Sequence, residues 1–142
     1  MTVKTYSLKK DGNNKVSTNF RVREFACKDG SDKVLIDTDL VNLLQKIRDY
    51  FNKPVKINSA YRTINHNKKV GGATNSYHLK GQASDIQIEG VNPVLVALYA
   101  ERLNAGGIGV YPNFVHVDTR KNKYRWVEWH LKIINKELMT FH

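Results

Sequence analysis

Two short stretches of the chain carry residue types that can do chemistry: Ser76-Tyr77-His78-Leu79-Lys80-Gly81-Gln82-Ala83-Ser84-Asp85 and Phe114-Val115-His116-Val117-Asp118. They supply two histidines and a carboxylate at spacings that fit neither a zinc finger nor a disulfide framework. Neutral imidazole and carboxylate are ligands that catalytic zinc accepts, three from the protein with a fourth position left to water. His78, Asp85 and His116 are therefore the candidate ligands of one zinc ion per chain. Each alone reads more blandly. A single histidine in a small domain is more often a surface or satisfied core residue, and Asp85 alone would serve a turn or cap. The combination gains from Gly81 and Ala83, small residues that let the loop between His78 and Asp85 fold tightly.

The elements that must position these residues can be read from periodicity. Residues 85–89 and 114–119 alternate and read as strands. Asp37 or Asp39 can cap a helix whose apolar positions Leu40, Leu43, Leu44, Ile47, Tyr50 and Phe51 follow helical spacing, ending before Pro54. Residues 55–58 alternate as a further strand. Asn92-Pro93 opens a second helix, with Val94, Leu95, Leu98 and Leu103 apolar, stopped by Asn104-Ala105-Gly106-Gly107. Residues 108–110 and 114–119 should form a hairpin about Pro112-Asn113. Residues 1–18, with Asp11-Gly12-Asn13-Asn14 as a turn, are expected to be an N-terminal arm, extended or hairpin. The tail from Tyr124 is amphipathic and fits no one period. The expectation is a single α+β domain over residues 1–142, with helices packed on a mainly antiparallel sheet.

Four segments, taken in order, carry a likeness to a known family. Ser59-Ala60-Tyr61-Arg62, Ser76-x-His78-x-x-Gly81-x-Ala83-x-Asp85, Gly107-Ile108-Gly109-Val110-Tyr111 and Phe114-Val115-His116-Val117-Asp118-Thr119-Arg120 resemble the zinc D-Ala-D-Ala carboxypeptidases. That family shares its fold with the hedgehog signalling domain and includes phage and bacterial cell-wall peptidases. The resemblance covers residues 19–126. It implies a hedgehog/DD-peptidase-like fold and a zinc peptidase acting on peptidoglycan peptide stems. The cut would be that of a D-Ala-D-Ala carboxypeptidase or of an endolysin-like stem peptidase. It also implies that Arg62 points into the active site, where a planar guanidinium can hold a carboxylate or an oxyanion. Without that context an arginine ending a strand is a solvated charge. Ser76 matches a position near the substrate carboxylate; its bland alternative is a turn or capping hydroxyl.

Such an enzyme needs a group that takes a proton from water and returns it to the leaving amine. Many relatives place an acid three positions before the last histidine ligand. Here that position is Asn113, an amide that cannot transfer a proton. Asp118 is the substitute, because on a strand it shares a face with His116. It is either the base or a residue that orients Arg120 or another side chain by hydrogen bonding. His66 is a further candidate, and Glu128-Trp129-His130 could supply another carboxylate and ligand. The implied mechanism is metal-assisted amide hydrolysis, with Asp118 moving the proton and Arg62 steadying the oxyanion or terminal carboxylate. Tyr61 or Tyr77 could line the groove, and Trp126 is expected to pack under the hairpin.

The formal charge of +10 calls for an anionic partner. The lysines are spread along the chain without a nucleic-acid-binding signature, so nucleic acid is not expected; anionic cell-wall polymers are a possible partner, and charge alone does not choose between these classes. No apolar run approaches membrane-spanning length, and the N-terminus carries no signal-peptide pattern. The expectation is a monomer made in the cytoplasm, acting at the bacterial wall after release or as part of a phage. The single cysteine, Cys27, excludes an internal disulfide and reads as a small buried hydrophobe. Asn113 keeps an alternative open: a non-catalytic, zinc-containing module for cell-wall binding or phage structure.

Overall fold

A computed structural model describes residues 2–128. The chain begins with β1 (Val3–Ser7), the short α1 (Leu8–Asp11), β2 (Lys15–Ser17), β3 (Phe20–Arg21) and a 3-10 turn at Val22–Phe25. β1 pairs antiparallel with β4 (Lys33–Asp37), so that Val3 lies opposite Asp37. The extended arm is therefore stitched to a strand about 30 residues away, a pairing that no local pattern announces.

α2 (Thr38–Phe51) follows at once, and of the two candidate caps Asp37 is the one used. Its Oδ1 accepts the Asp39 backbone N–H at 3.1 Å, satisfying one of the free donors of the first turn. Its Oδ2 accepts from the Thr119 hydroxyl at 2.5 Å, which ties the start of the helix to the chain just beyond the last site strand. Leu40, Val41, Leu43, Leu44 and Ile47 form the buried stripe. Completely buried leucines and isoleucines such as Leu44 and Ile47 each contribute about 1.5–3 kcal/mol. The helix stops at Asn52, which turns left-handed (φ 51°) ahead of Pro54.

The remaining elements are β5 (Lys56–Ser59), α3 (Ile64–Lys69), a second 3-10 turn (Tyr77–Lys80), β6 (Ala83–Gln87), α4 (Pro93–Arg102), β7 (Gly107–Val110), β8 (Val115–Asp118) and β9 (Tyr124–Val127). They form a five-stranded sheet in the order β5-β6-β8-β7-β9. All its pairs are antiparallel except β7 with β9, so the fold is α+β on a mainly antiparallel sheet, as expected. Of the tail, Tyr124–Val127 forms a strand parallel to β7, a pairing that its own mixed periodicity does not announce.

The period-2 alternation of the strands divides the sheet into two faces. Ile86, Ile108, Val110, Val115 and Val117 are buried in the apolar core, and α4 packs against β7 and β8. The odd-numbered positions of β6 and β7 and the even-numbered positions of β8 point the other way. There the sheet carries aspartate, histidine and glycine instead of aliphatic side chains. No helix among the described residues is long and apolar enough to cross a membrane.

Candidate metal centre

One transverse row of the sheet builds most of the site. Ser59 pairs with Asp85, Asp85 with His116, His116 with Gly109, and Gly109 with Trp126, across all five strands. Paired residues present their side chains to the same face, so Asp85 and His116 stand side by side. Gly109 leaves the gap that Trp126 fills: a Cβ there would come within 2.2 Å of the indole ring. The expected packing of Trp126 under the hairpin thus takes the form of a ring laid over Gly109, 5.0 Å from the His116 ring.

His78 arrives from the 3-10 turn. Ser76 caps that turn, its hydroxyl accepting the His78 N–H at 3.2 Å. Gly81 ends it at φ 72°, and a Cβ there would lie 2.5 Å from the Leu35 carbonyl oxygen. Ala83 is fully buried where the chain enters β6. The spacing from Ser76 to Asp85 is thus a cap, a candidate ligand, a left-handed turn and a strand start in succession.

His78, Asp85 and His116 converge, all three buried. His78 Nε2 lies 3.3 Å and His116 Nδ1 3.0 Å from Asp85 Oδ1, and the three ligand atoms fall within 4.8 Å of one another. Tetrahedral zinc with bonds of roughly 2.0–2.1 Å holds its ligand atoms about 3.3–3.4 Å apart, so the donor set fits that ion. The outer nitrogens are also defined. His78 Nδ1 donates to the Ala60 carbonyl at 2.6 Å, so in the neutral ring the Nε2 lone pair faces the cluster. His116 Nε2 donates to Asp118 Oδ2 at 2.7 Å, turning Nδ1 inward.

Burial disfavours charge on Asp85, but hydrogen bonds from His116 and His78 outweigh it and hold the carboxyl well below the usual carboxylate range. Burial likewise pulls His116 toward neutrality, yet its hydrogen bonds to Asp118 and Asp85 raise its pKa above the ordinary histidine value. The environment favours positive charge between the two carboxylates, whether a proton or a metal ion carries it.

Asp118 stands behind His116 and outside the cavity wall. It is completely buried. Its Oδ1 accepts the Gly107 N–H at 2.7 Å and the Arg120 N–H at 3.0 Å, and Arg120 Nε and Nη2 grip the carboxylate at 2.6–3.1 Å. Gly107 is again a required gap, since a Cβ there would lie 2.1 Å from Asp118 Oδ2. Burial opposes this charge too, but hydrogen bonds from His116 and Arg120 prevail and depress the Asp118 pKa. This arrangement orients His116 as well as Arg120.

The donor atoms open on a cavity of about 480 Å³ lined by Arg62, Ser76, Tyr77, Tyr111, Arg120 and Trp126 together with the ligands. Arg62 is pinned at each nitrogen, by Ser59 Oγ (3.0 Å), Asn67 Oδ1 (3.2 Å) and Asp85 Oδ2 (3.4 Å). Ser76 is at the wall and is also the cap described above. Of the two tyrosines, Tyr77 lines the cavity and Tyr61 is buried in the core. His66 sits on α3 away from the cavity wall, Cys27 is buried, and Asn113 lines a separate depression beside residues 86–91. Trp129 and His130 lie outside the described residues. Asp85 is the one carboxylate lining the cavity among the described residues. The sequence offered Arg120 only as a partner of Asp118, and gave Gly107 and Gly109 no part in the site. Their signal was the alternation of Gly107 with Gly109, which puts both on the face that holds His116.

The sequence model of the peptidase M15 family matches residues 17–118, well over half of the 142. The chain belongs to the peptidase M15 family. The M15 match contains His78, Asp85, His116 and Asp118, and begins and ends slightly before the expected span of 19–126. The chain is 41% identical over 93 residues to the peptidoglycan L,D-endopeptidase MepK of Escherichia coli (strain K12), covering 59% of this chain and 51% of that protein. It is 43% identical over 75 residues to the probable peptidoglycan L,D-endopeptidase MepK of Haemophilus influenzae, covering 48% of this chain and 40% of that one. The chain spans about half the length of the curated relatives it matches, or less.

Proposed function

We infer that this M15 chain is a zinc-dependent peptidase of peptidoglycan stems, and that it cuts within the stem as an endopeptidase. The observation that carries this is the convergence of His78 Nε2, Asp85 Oδ1 and His116 Nδ1 at the floor of an open cavity. The likeness to MepK proteins favours an endopeptidase over the D-Ala-D-Ala carboxypeptidase that the sequence motifs alone suggest. The surplus of basic charge suits a polyanionic wall.

Zinc at such a site lowers the pKa of a coordinated water and polarises a carbonyl. The protein's own groups divide the remaining work. His78, held by the Ala60 carbonyl, and His116, held by Asp118, keep fixed tautomers and so keep their inner lone pairs aimed. Asp118 is a positioning residue in this scheme. Its hydrogen bonds are made behind His116, and it is absent from the cavity wall. Arg62 lines the cavity in a locked orientation, which suits it to an oxygen that gains negative charge as the amide is attacked. Ser76 lines the same wall and is proposed to contact substrate.

A second reading draws on a specific observation. No carboxylate other than Asp85 lines the cavity among the described residues, which suits a metal-containing module that binds wall material without cutting it. Zinc content and release of new amines from purified peptidoglycan, measured for wild type and His116→Ala, separate the two. One zinc per wild-type chain, lost in the variant together with amine release, supports the peptidase. Zinc without amine release on any wall type supports the binding module, and no zinc in either protein overturns both.

A further inference from the structure

Arg120 is built into the cavity more elaborately than a counter-charge for Asp118 requires. Its Nε and Nη2 edge clasps the Asp118 carboxylate. Its Cζ lies 4.5 Å from the Tyr77 ring centre, 5.4 Å from Tyr124 and 5.6 Å from Trp126, so three aromatic rings surround the guanidinium. Gly107 supplies the room: a Cβ there would sit 2.6 Å from Arg120 Nε. The side chain is 19% exposed, lines the cavity beside Tyr77 and His116, and leaves Nη1 without a partner among the described residues. Arg62 differs, since each of its nitrogens already meets a protein oxygen.

We propose that Arg120 is a specificity-determining residue whose Nη1 edge receives a carboxylate of the bound peptide. This rests on the peptidase reading and names the chemistry that the site prefers. A guanidinium held flat by Asp118 and the rings loses little freedom on binding, and its fork matches a carboxylate in a way an ammonium does not. The charges agree. Asp85 and Asp118 are offset by Arg62 and Arg120, so an incoming anion meets no excess of negative side chains at the wall. The carboxylate could be the peptide's C-terminus or one on a side chain, and the same donors would hold either.

The test uses synthetic stem peptides in matched pairs, carboxylate against carboxamide, at the C-terminus in one pair and on a side chain in the other. The wild type is expected to favour the acid in one pair by about tenfold or more in kcat/KM, chiefly through KM. Arg120→Gln should bring that preference to within about twofold while metal content stays at the wild-type level, and Arg120→Lys should restore part of it. If Arg120→Gln fails to fold or to hold metal, Arg120→Lys decides, with a narrowed preference expected. Equal treatment of acid and amide by the wild type, or an undiminished preference in both variants, overturns the proposal. Calorimetric binding of the same pairs to wild type distinguishes the two levels of inference. Absence of turnover would remove the peptidase reading, whereas equal affinities for acid and amide would remove the role of Arg120.

Discussion

His116 and Asp118 lie two residues apart on β8, and their side chains meet at 2.7 Å between Nε2 and Oδ2 on the face that holds the site. One strand therefore supplies both a candidate ligand and the group that orients it. Imidazole nitrogens that face a metal usually have the other ring N–H anchored in this way. Asp118 meets His116 from behind and is absent from the cavity wall.

Asp118→Asn should weaken zinc binding by about 10–100-fold, because the amide no longer holds the Nε2–H tautomer firmly. Competition with a chelator of known affinity measures this. Unchanged zinc affinity with abolished turnover would instead make Asp118 the proton shuttle.

Gly109→Ala should destabilise the protein by about 1–3 kcal/mol, since the new methyl meets the Trp126 ring at a distance that forces it aside. Urea denaturation gives the change in stability, and the emission of Trp126 should shift with it. An unaltered midpoint would mean that β9 moves away at no cost.

Stability of the metal-free protein should fall in acid. Asp85 and Asp118 both titrate below their ordinary range when folded, whereas an unfolded aspartate titrates near 3.9. The unfolded chain therefore binds more protons as the pH drops below about 4, so the contribution of both groups is complete above that value and lost beneath it. Denaturation midpoints between about pH 6 and pH 3 should show the decline, and Asp118→Asn should make it shallower. An identical slope in the variant would count against the coupling of Asp118 to His116 and Arg120.

Ser76→Ala distinguishes a cap from a substrate contact. Loss of the bond to the His78 N–H should cost about 0.5–2 kcal/mol of stability. A rise in KM beyond what the stability loss explains would support the proposed contact with substrate. A KM equal to wild type would leave Ser76 as a cap alone.

Much of the site follows from local sequence. The motif from Ser76 to Asp85 reads as a turn entering a strand because serine caps, glycine accepts φ > 0° and alternation marks the strand, all local properties. α2 and α4 were legible for similar reasons, from Asp37, from Asn92-Pro93 and from apolar residues at helical spacing. β9 was not, because its parallel partner β7 lies across an intervening hairpin and the strand's own residues alternate poorly. The pairing of β1 with β4 was hidden because its partners lie about 30 residues apart in the chain.

The candidate ligand types, the alternation that sets His116 and Asp118 on one face, and the family to which they point are all present in the order of residues alone. Tertiary structure decided the register that aligns Ser59, Asp85, His116, Gly109 and Trp126, and so decided which atoms face the cavity. It turned Asp118 toward the back of His116 and left the Nη1 edge of Arg120 without a partner among the described residues, beside three aromatic rings. The reason is physical. Chemistry and periodicity are properties of neighbours in the chain, whereas register, burial and hydrogen-bond partners arise only when strands far apart in sequence are brought within a few ångströms.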